Sequence, residues 1–473
     1  GTTRLVGIPD GIGVIDGAEL TPPDPDFFYL LVNHEINATQ GIARDHGNIG
    51  SFVSKWKVNK TTHEVVEGDD LIKQVFDWDE ATNSFVPAST TFDRLCSSDR
   101  PAATAIFDSA SSLGSQEILY FNGEETFGGR AYGHVVTGPD AGSSYHLEHF
   151  GFLAFENVLL SPTEQQTTIA IGLDDASDGE VYVYVGQKQA NGTEVEKAGL
   201  VGGNLYALAV VGKPYERDDD LAMAIGAVEP FTLKLIGEPG NRPVDGPDTE
   251  ARGADTVNPV DPTQTFESLK MGGPEDGVWD TRPGFENTFY FVTKGTSSNG
   301  LNAVTRLWKL EFADTANPAL GGTMTLLLDG PENRLGSLDN MGFDILDGRP
   351  KLLIQEDLGS DPRLSKIWDY DILDGSLEEV VQHEASRFFD GGPDFLTTNE
   401  ESSGIISLRD VLGEGWFAVS VQVHTATGLS STTELVERGQ LLLVNLAGRS
   451  ADVQRERLVA SGDLWDYRVD GVD

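Results

Sequence analysis

Residues 27–35 read Phe-Phe-Tyr-Leu-Leu-Val-Asn-His-Glu. An apolar and aromatic run with high β-propensity is followed at once by polar residues, and the last of them is acidic. The stretch therefore predicts a short strand over 27–32 that ends in an acidic motif. The same pattern of strand and acid returns along the chain, and the fold prediction depends on this recurrence.

Short β-rich runs separated by Gly, Asp, Asn and Pro make up most of the sequence, whereas helical periodicity is scarce. Many short strands with turn signals between them are typical of a sandwich, a barrel or a propeller. Two stretches, 102–112 and 221–227, are compatible with short helices. The predicted strands are 27–32, 117–121, 168–171, 181–185, 205–211, 288–293, 307–312, 323–328, 351–355, 416–423 and 440–444.

Six acidic motifs accompany these runs, and several of them follow directly on a predicted strand. Taken alone, each motif is an ordinary acidic turn. In a propeller, however, the inner strands converge on a central channel, so one motif per blade would form a ring of carboxylates. We therefore predict an all-β, six-bladed β-propeller with long inter-blade loops and a few short helices, forming a single domain over 1–473. The motifs are 33–35, 122–125, 173–175, 274–276, 338–340 with 355–357, and 399–404.

The segment 239–262 is rich in Pro, Gly and Asp, a composition that suits either a domain linker or a long surface loop. Similar patterns of strand and acid lie on both sides of it. We therefore interpret it as a surface loop.

The charge of the chain restricts its partners. With 33 Lys and Arg against 76 Asp and Glu, the formal net charge is −43. A duplex or an anionic membrane would repel such a surface, which argues against a nucleic-acid partner. A solvated acidic coat explains part of the charge, and divalent cations such as Ca²⁺ would neutralise closely packed carboxylates.

Cys96 is the only cysteine, so neither a disulfide within the chain nor a cysteine-based zinc site is possible. We expect it to be a buried thiol. No apolar run approaches the roughly 18 residues of a membrane span. The sequence begins at Gly1 without a charged and then apolar leader, which suggests that a signal peptide has been removed and that the protein is extracellular or periplasmic.

Other chemistries have weaker signals. His34 and Glu35 lack the second histidine of a zinc-protease helix, and no G-x-S-x-G elbow, P-loop or plausible Rossmann fingerprint is present. His146 and His149 lie in a short polar stretch and are expected at the surface.

The motifs resemble, in order, those of the PhoX-type alkaline phosphatases. Residues 32–35 (Val-Asn-His-Glu) resemble the VNHE signature of this family, 123–125 (Gly-Glu-Glu) its TCEE motif and 274–275 (Pro-Glu) its RPE motif. Residues 338–340 with 354–357 resemble its DN…ED blade, and 401–404 its E-x-T-G motif. The strand that carries Gln422 and His424 occupies the place of the VNxQHP strand of the family.

The resemblance implies a secreted, six-bladed propeller in which carboxylates bind Ca²⁺ and Fe³⁺, a cysteine thiolate bridges the irons, and the cluster polarises a phosphate ester. This chain departs from the family at one position, because Gly123 replaces the cysteine. That departure argues against thiolate-bridged iron and favours a Ca²⁺ cluster with oxygen ligands, with Fe³⁺ as the less favoured addition.

The site residues follow from these matches. His34 and His424 are candidate supporting or acid–base groups, and Arg130 and Arg334 are candidate phosphate anchors. The predicted metal ligands are Glu35, Glu124, Glu125, Glu275, Asp339, Glu356 and Glu401.

The leading function is a secreted, calcium-dependent hydrolase of small phosphoric esters. The alternative is a non-catalytic extracellular propeller, stabilised by calcium, that serves surface assembly or adhesion through self-association or a surface partner. A glycosidase with paired carboxylates is a third interpretation.

Overall fold

A computed structural model describes residues 3–216, 224–236, 268–296, 303–359 and 363–447, together with the backbone of strand 454–460. The segment 239–262, interpreted above as a surface loop, lies outside these residues, as does part of 221–227.

Strands dominate the described part of the chain. They are β1 (Pro9–Asp16), β2 (Phe27–His34), β3 (Phe52–Asn59), β4 (Val65–Asp70), β5 (Gln74–Asp79), β6 (Ser84–Ala88), β7 (Leu95–Asp99), β8 (Phe107–Asp108), β9 (Leu113–Gly114), β10 (Leu119–Val135), β11 (Ser143–His146), β12 (Phe152–Leu160), β13 (Thr167–Asp174), β14 (Val181–Gln187), β15 (Asn204–Ala209), β16 (Val228–Ile236), β17 (Pro274–Trp279), β18 (Thr288–Thr293), β19 (Arg306–Phe312), β20 (Gly322–Asp329), β21 (Leu338–Leu346), β22 (Arg349–Glu356), β23 (Lys366–Asp371), β24 (Leu377–Gln382), β25 (Glu400–Ser407), β26 (Trp416–Val423), β27 (Arg438–Asn445) and β28 (Gln454–Ala460).

The described helices are short, and none of them has the length and apolarity needed to cross a membrane. One of them confirms the helix expected within 102–112. The α-helices are Ala103–Ile106, Glu194–Lys197, Gly330–Asn333, Ala385–Phe388, Arg409–Leu412 and Thr432–Leu435, and the 3₁₀ helices are Gly17–Glu19, Glu148–Phe150 and Pro318–Leu320.

Most of the described strands fall into six groups of four, which are the blades of a β-propeller. Five blades are consecutive antiparallel strands: β1–β4, β12–β15, β17–β20, β21–β24 and β25–β28. The sixth is built from β10, β11, β5 and β6, with β11 parallel to β5. Strand β16 pairs with β15 and with β20. The predicted all-β propeller is confirmed.

The chain is divided into two compact units. The first unit lies within 1–73, 89–97 and 339–473, and its core includes Phe28, Trp56 and Phe417. The second unit lies within 74–88 and 98–338, and its core includes Phe155 and Tyr182. The single domain over 1–473 stays a prediction.

β-branched and aromatic residues account for the central strands. In β14, Val and Tyr alternate, and Val181, Tyr182, Val183 and Tyr184 are all fully buried, so both faces of the strand are covered. Such side chains suit a pleated, buried surface, and each large one contributes roughly 1.5–3 kcal/mol of burial free energy.

Candidate metal centre

Several first strands of the blades contain a β-bulge at or beside an acidic residue. The register of β1 shifts between Pro9 and Ile12, around Asp10. That of β17 shifts between Pro274 and Gly277, around Glu275. A bulge adds a residue to one strand and redirects its side chains, and bulges are frequent next to active sites.

Several acidic motifs were expected at the ends of strands, and this is correct for only some of them. Glu35 directly follows β2, Asp174 ends β13 and Glu356 ends β22. The motifs at 122–125, 274–276, 339–340 and 400–401 lie inside β10, β17, β21 and β25 instead. Polar residues of this kind are typical of turns, but here β-bulges accommodate some of these acidic residues within paired strands.

Asp10, Glu35 and Cys96 form a first group, the thiol cluster, in which ligand atoms of all three lie within 4.8 Å of one another. The Cys96 thiol donates to Asp10 Oδ2 at 3.4 Å. Gln422 Nε2 donates to Asp10 Oδ2 and to Glu35 Oε2, both at 2.9 Å. The buried thiol is confirmed, but its position beside two carboxylates was not predicted.

The amide oxygen of Gln422 gives this cluster a further potential ligand. Gln422 is fully buried, and its Oε1 has no hydrogen-bond partner among the described residues. An unsatisfied buried acceptor costs about 1–3 kcal/mol, and amide oxygens are common Ca²⁺ ligands. The thiol cluster is therefore suited to a cation.

Asp339, Asp357 and Glu401 form a second group, the carboxylate cluster, also in the first unit and also within 4.8 Å. Beside Asp339, the amide of Asn340 donates to Ser97, while the buried Asn340 Oδ1 has no partner within the described ranges. Three carboxylates with oxygen atoms this close together are a donor set for a hard divalent cation.

Arginines lie beside two predicted ligands in the first unit. Arg94 Nε and Nη2 donate to Glu35 Oε1 at 2.8 and 2.6 Å. Burial opposes ionisation of Glu35, but the charge of Arg94, the hydrogen bonds from Gln422 and Arg94 and the charge of His424 together outweigh burial and lower the pKa of the carboxyl. Arg363 pairs with Glu356 at 3.2 Å. Glu35 is therefore ionised, and a guanidinium group lies next to each of the two carboxylates.

His424 connects Glu401 to a further carboxylate. Its Nδ1 lies 2.8 Å from Glu437 Oε2, and its Nε2 lies 3.7 Å from Glu401 Oε2. Burial opposes protonation, but the two glutamates together raise the pKa of His424 to about 10. The imidazole is therefore cationic at neutral pH.

The second unit contains two comparable pairs. Arg130 binds Glu124 with two parallel bonds, Nε to Oε2 at 2.9 Å and Nη2 to Oε1 at 3.2 Å. Lys294 Nζ lies 2.9 Å from Glu275 Oε1. Burial opposes the charged form of Lys294, but the nearby carboxylates have the larger combined effect and raise its pKa. Arg130, a predicted phosphate anchor, thus lies beside the predicted ligand Glu124. The contact between Lys294 and Glu275 was not predicted.

Two predicted catalytic residues lie in different settings. The His34 ring is fully buried and stacked on Phe52, with Nε2 2.8 Å from Ser54 Oγ. Arg334 is exposed and follows the helix Gly330–Asn333 in a left-handed conformation, with φ 61°. Their catalytic roles stay predictions.

His146 and His149 were expected at the surface, and this was wrong. Their exposed fractions are 4% and 7%. His146 Nδ1 lies 3.1 Å from Glu148 Oε2, so a carboxylate within the same polar stretch accompanies the ring into the interior.

Comparisons with known proteins show the fold. No family model and no curated protein matches this sequence. The structure of PhoX from Pseudomonas fluorescens in complex with vanadate, a transition state analogue, matches with a TM-score of 0.55 and 15% identity, over 91% of this chain and 87% of that one. The periplasmic gluconolactonase PpgL of Pseudomonas aeruginosa matches with a TM-score of 0.35 and 13% identity, over 93% and 83%, which is too distant to add to the assignment.

Proposed function

We propose that the protein is a secreted, calcium-dependent hydrolase of small phosphoric esters. One observation carries the proposal: in the first unit, the thiol cluster and the carboxylate cluster each bring three potential ligand atoms within 4.8 Å of one another, and the buried Gln422 Oε1 beside the thiol cluster has no partner among the described residues. Such sites favour a bound cation.

The donor types fit the metals that the sequence resemblance implies. Asp339, Asp357 and Glu401 supply oxygen, which Ca²⁺ prefers. Cys96 adds a softer sulfur ligand to Asp10 and Glu35, which restores Fe³⁺ as a candidate despite Gly123. When bound, such metals would polarise the phosphoryl oxygens and offset the negative charge of the ester.

Cationic side chains that contact the predicted ligands suit the rest of the chemistry. The guanidinium groups of Arg94 and Arg363 match phosphate oxygens in geometry, and both side chains are partly exposed. His424 is protonated at neutral and moderately alkaline pH, so its Nε2 proton is available for a departing alkoxide. Arg94, Arg363 and His424 would thus orient the ester and supply a proton.

Two further facts support the proposal. The structural neighbour of the same fold holds vanadate, a transition state analogue, so this fold accommodates that chemistry in another protein. The motifs that resemble those of the PhoX-type phosphatases, in the same order along the chain, indicate the same class of reaction. The remaining predicted ligands, Glu124, Glu125 and Glu356, belong to the proposal as further carboxylates of the centre.

Hydrolysis of p-nitrophenyl phosphate and bis-p-nitrophenyl phosphate at alkaline pH tests the proposal. We expect turnover with Ca²⁺, alone or with Fe³⁺, and a loss of roughly 100-fold or more in Glu401→Gln and in Asp357→Asn, because each removes a charged ligand but keeps its shape. Glu379→Gln is the matched control, because Glu379 is exposed and pairs with Lys366 on a neighbouring strand. Thermal melts must show that all three variants are folded.

Full activity in Glu401→Gln and Asp357→Asn would show that the site lies elsewhere. Absence of turnover by the wild type on both esters would favour the alternative, a calcium-stabilised binding propeller. One observation favours that alternative: Glu35, Glu356 and Glu401 each pair with a cationic side chain, as structural carboxylates do.

A further inference from the structure

Lys294 lies between two buried carboxylates in the second unit. Its Nζ contacts Asp175 Oδ2 and lies 2.9 Å from Glu275 Oε1. The Asp175 and Glu275 side chains are only 5% and 4% exposed, whereas the lysine side chain is 39% exposed. The ammonium therefore approaches the two carboxylates from the solvent side and forms an ion pair with each of them.

The backbone fixes the path of this lysine. Lys294 N donates to Gly273 O at 3.0 Å, which holds the residue after β18 against the residue before β17. Gly273 has φ +67°, and a Cβ there would lie 2.8 Å from Asp175 Oδ1 and 3.0 Å from Lys294 Cγ. A side chain at 273 would close the passage that the lysine stem occupies, so glycine at this position provides room for the contact.

The pair retains capacity to bind a stronger cation. Asp175 Oδ1 is buried and has no hydrogen-bond partner within the part of the chain that the structure describes. Two carboxylates share one ammonium, and a divalent cation would bring twice its charge to the same two groups. Adjacent carboxylate oxygens of this kind are what a divalent cation requires.

We infer that the Lys294 ammonium is a built-in monovalent cation that occupies the place of a divalent ion between Asp175 and Glu275. The lysine limits how many metal ions the carboxylates of this fold take up, and the Asp175–Glu275 pair contributes no metal site. This role differs from the metal-ligand role that the sequence predicts for Glu275, which stays a prediction. The inference rests on the proposed function for its setting, but it does not require that the protein be a hydrolase.

Counting bound Ca²⁺ per chain tests the inference. The full chain is stripped with a chelator, titrated with Ca²⁺ in a calorimeter and analysed for metal after gel filtration. We expect Lys294→Gln to bind one more Ca²⁺ than the wild type, because the two carboxylates are then without their ammonium. The double variant Lys294→Gln, Glu275→Gln should return to the wild-type number.

Lys309→Gln is the matched control. It removes the same charge from the neighbouring strand β19, where Lys309 pairs with Glu311 at 2.8 Å on a partly exposed surface. We expect it to bind as many Ca²⁺ ions as the wild type.

Two results would overturn the inference. One is an equal Ca²⁺ count in the wild type and in folded Lys294→Gln. The other, which remains decisive if Lys294→Gln does not fold, is a reduced count in Asp175→Asn, since that loss would make Asp175 a metal ligand in the wild type. Failure of the proposed function is distinguishable, because it is read from turnover and leaves these ion counts unaffected.

Discussion

His34 is a fully buried histidine whose two ring nitrogens lie beside neutral oxygen atoms. Nδ1 lies 3.3 Å from Gly7 O, and Nε2 lies 2.8 Å from Ser54 Oγ. A carbonyl only accepts, so the proton is on Nδ1 and Nε2 accepts from the serine hydroxyl. Burial, and then the charge of Arg44, lower the pKa of His34 from 6.5 to about 3. The imidazole is therefore neutral at physiological pH.

This depressed pKa predicts acid sensitivity. Between the folded value near 3 and the unfolded value near 6.5, the unfolded chain binds a proton at this histidine and the folded chain does not, so stability falls as pH falls. Because of this residue, we expect the free energy of unfolding to fall by about 2 kcal/mol from pH 8 to pH 5.

Denaturant titrations of the wild type and His34→Gln at pH 8 and pH 5 measure the effect. The variant should be less stable at pH 8, and its deficit should shrink at pH 5 because glutamine takes up no proton. A deficit that is the same at both pH values would show that His34 is protonated in the folded chain.

At the scale of elements, the bulge in β25 brings this strand close to β1. The register of β25 against β26 shifts between Ser402 and Gly404. A Cβ at Gly404 would lie 2.6 Å from the backbone oxygen of Asp10. No rotamer change relieves a clash with backbone, so only glycine allows this approach.

Gly404→Ala should therefore displace the strand that carries Asp10. We expect a loss of about 1–3 kcal/mol in unfolding free energy and a smaller rise of Tm on adding Ca²⁺, because Asp10 belongs to the thiol cluster. Gly348→Ala is the control, since Gly348 has open space around it and only its φ of +73° is unfavourable for alanine. Equal Ca²⁺ responses in the two variants would contradict a link between the bulge and the cluster.

The sequence predicts the elements better than it predicts the site. β-rich runs such as 288–293 coincide with β18 because burial on a pleated sheet selects their residues. Asp10 was missed because a bulge is a property of strand pairing, which the residues 9–11 do not reveal by themselves. The thiol cluster was missed because its contacts join distant positions: Asp10 lies 86 residues from Cys96 and 412 from Gln422 along the chain.

Lys294, Arg94 and Arg363 illustrate a second limit. A cation in an acidic chain has many possible carboxylate partners, and only the fold selects one of them. Glu35, Glu124 and Glu356 were chosen from motif resemblance, whereas the guanidinium group beside each of them emerges only from the structure.

At the scale of the whole molecule, the net charge of −43 makes the two clusters costly without cations. Like charges in a partly buried site repel, and a ligand that binds only the folded chain stabilises it by mass action. The cationic side chains offset part of this repulsion, while the amide oxygen of Gln422 marks a place where a further cation would gain a ligand. That the six acidic motifs face one common axis stays a prediction.

A crystal structure of the protein grown with Ca²⁺, with anomalous scattering to identify ions, tests the metal centre most directly. We expect one ion bound by Asp339, Asp357 and Glu401 and another at Asp10, Glu35 and Cys96, with Ca²⁺–oxygen distances of about 2.3–2.6 Å. The metal centre would be contradicted if protein saturated with Ca²⁺ showed no ion in either cluster, with only water and the Arg94, Arg363 and His424 side chains beside the carboxylates.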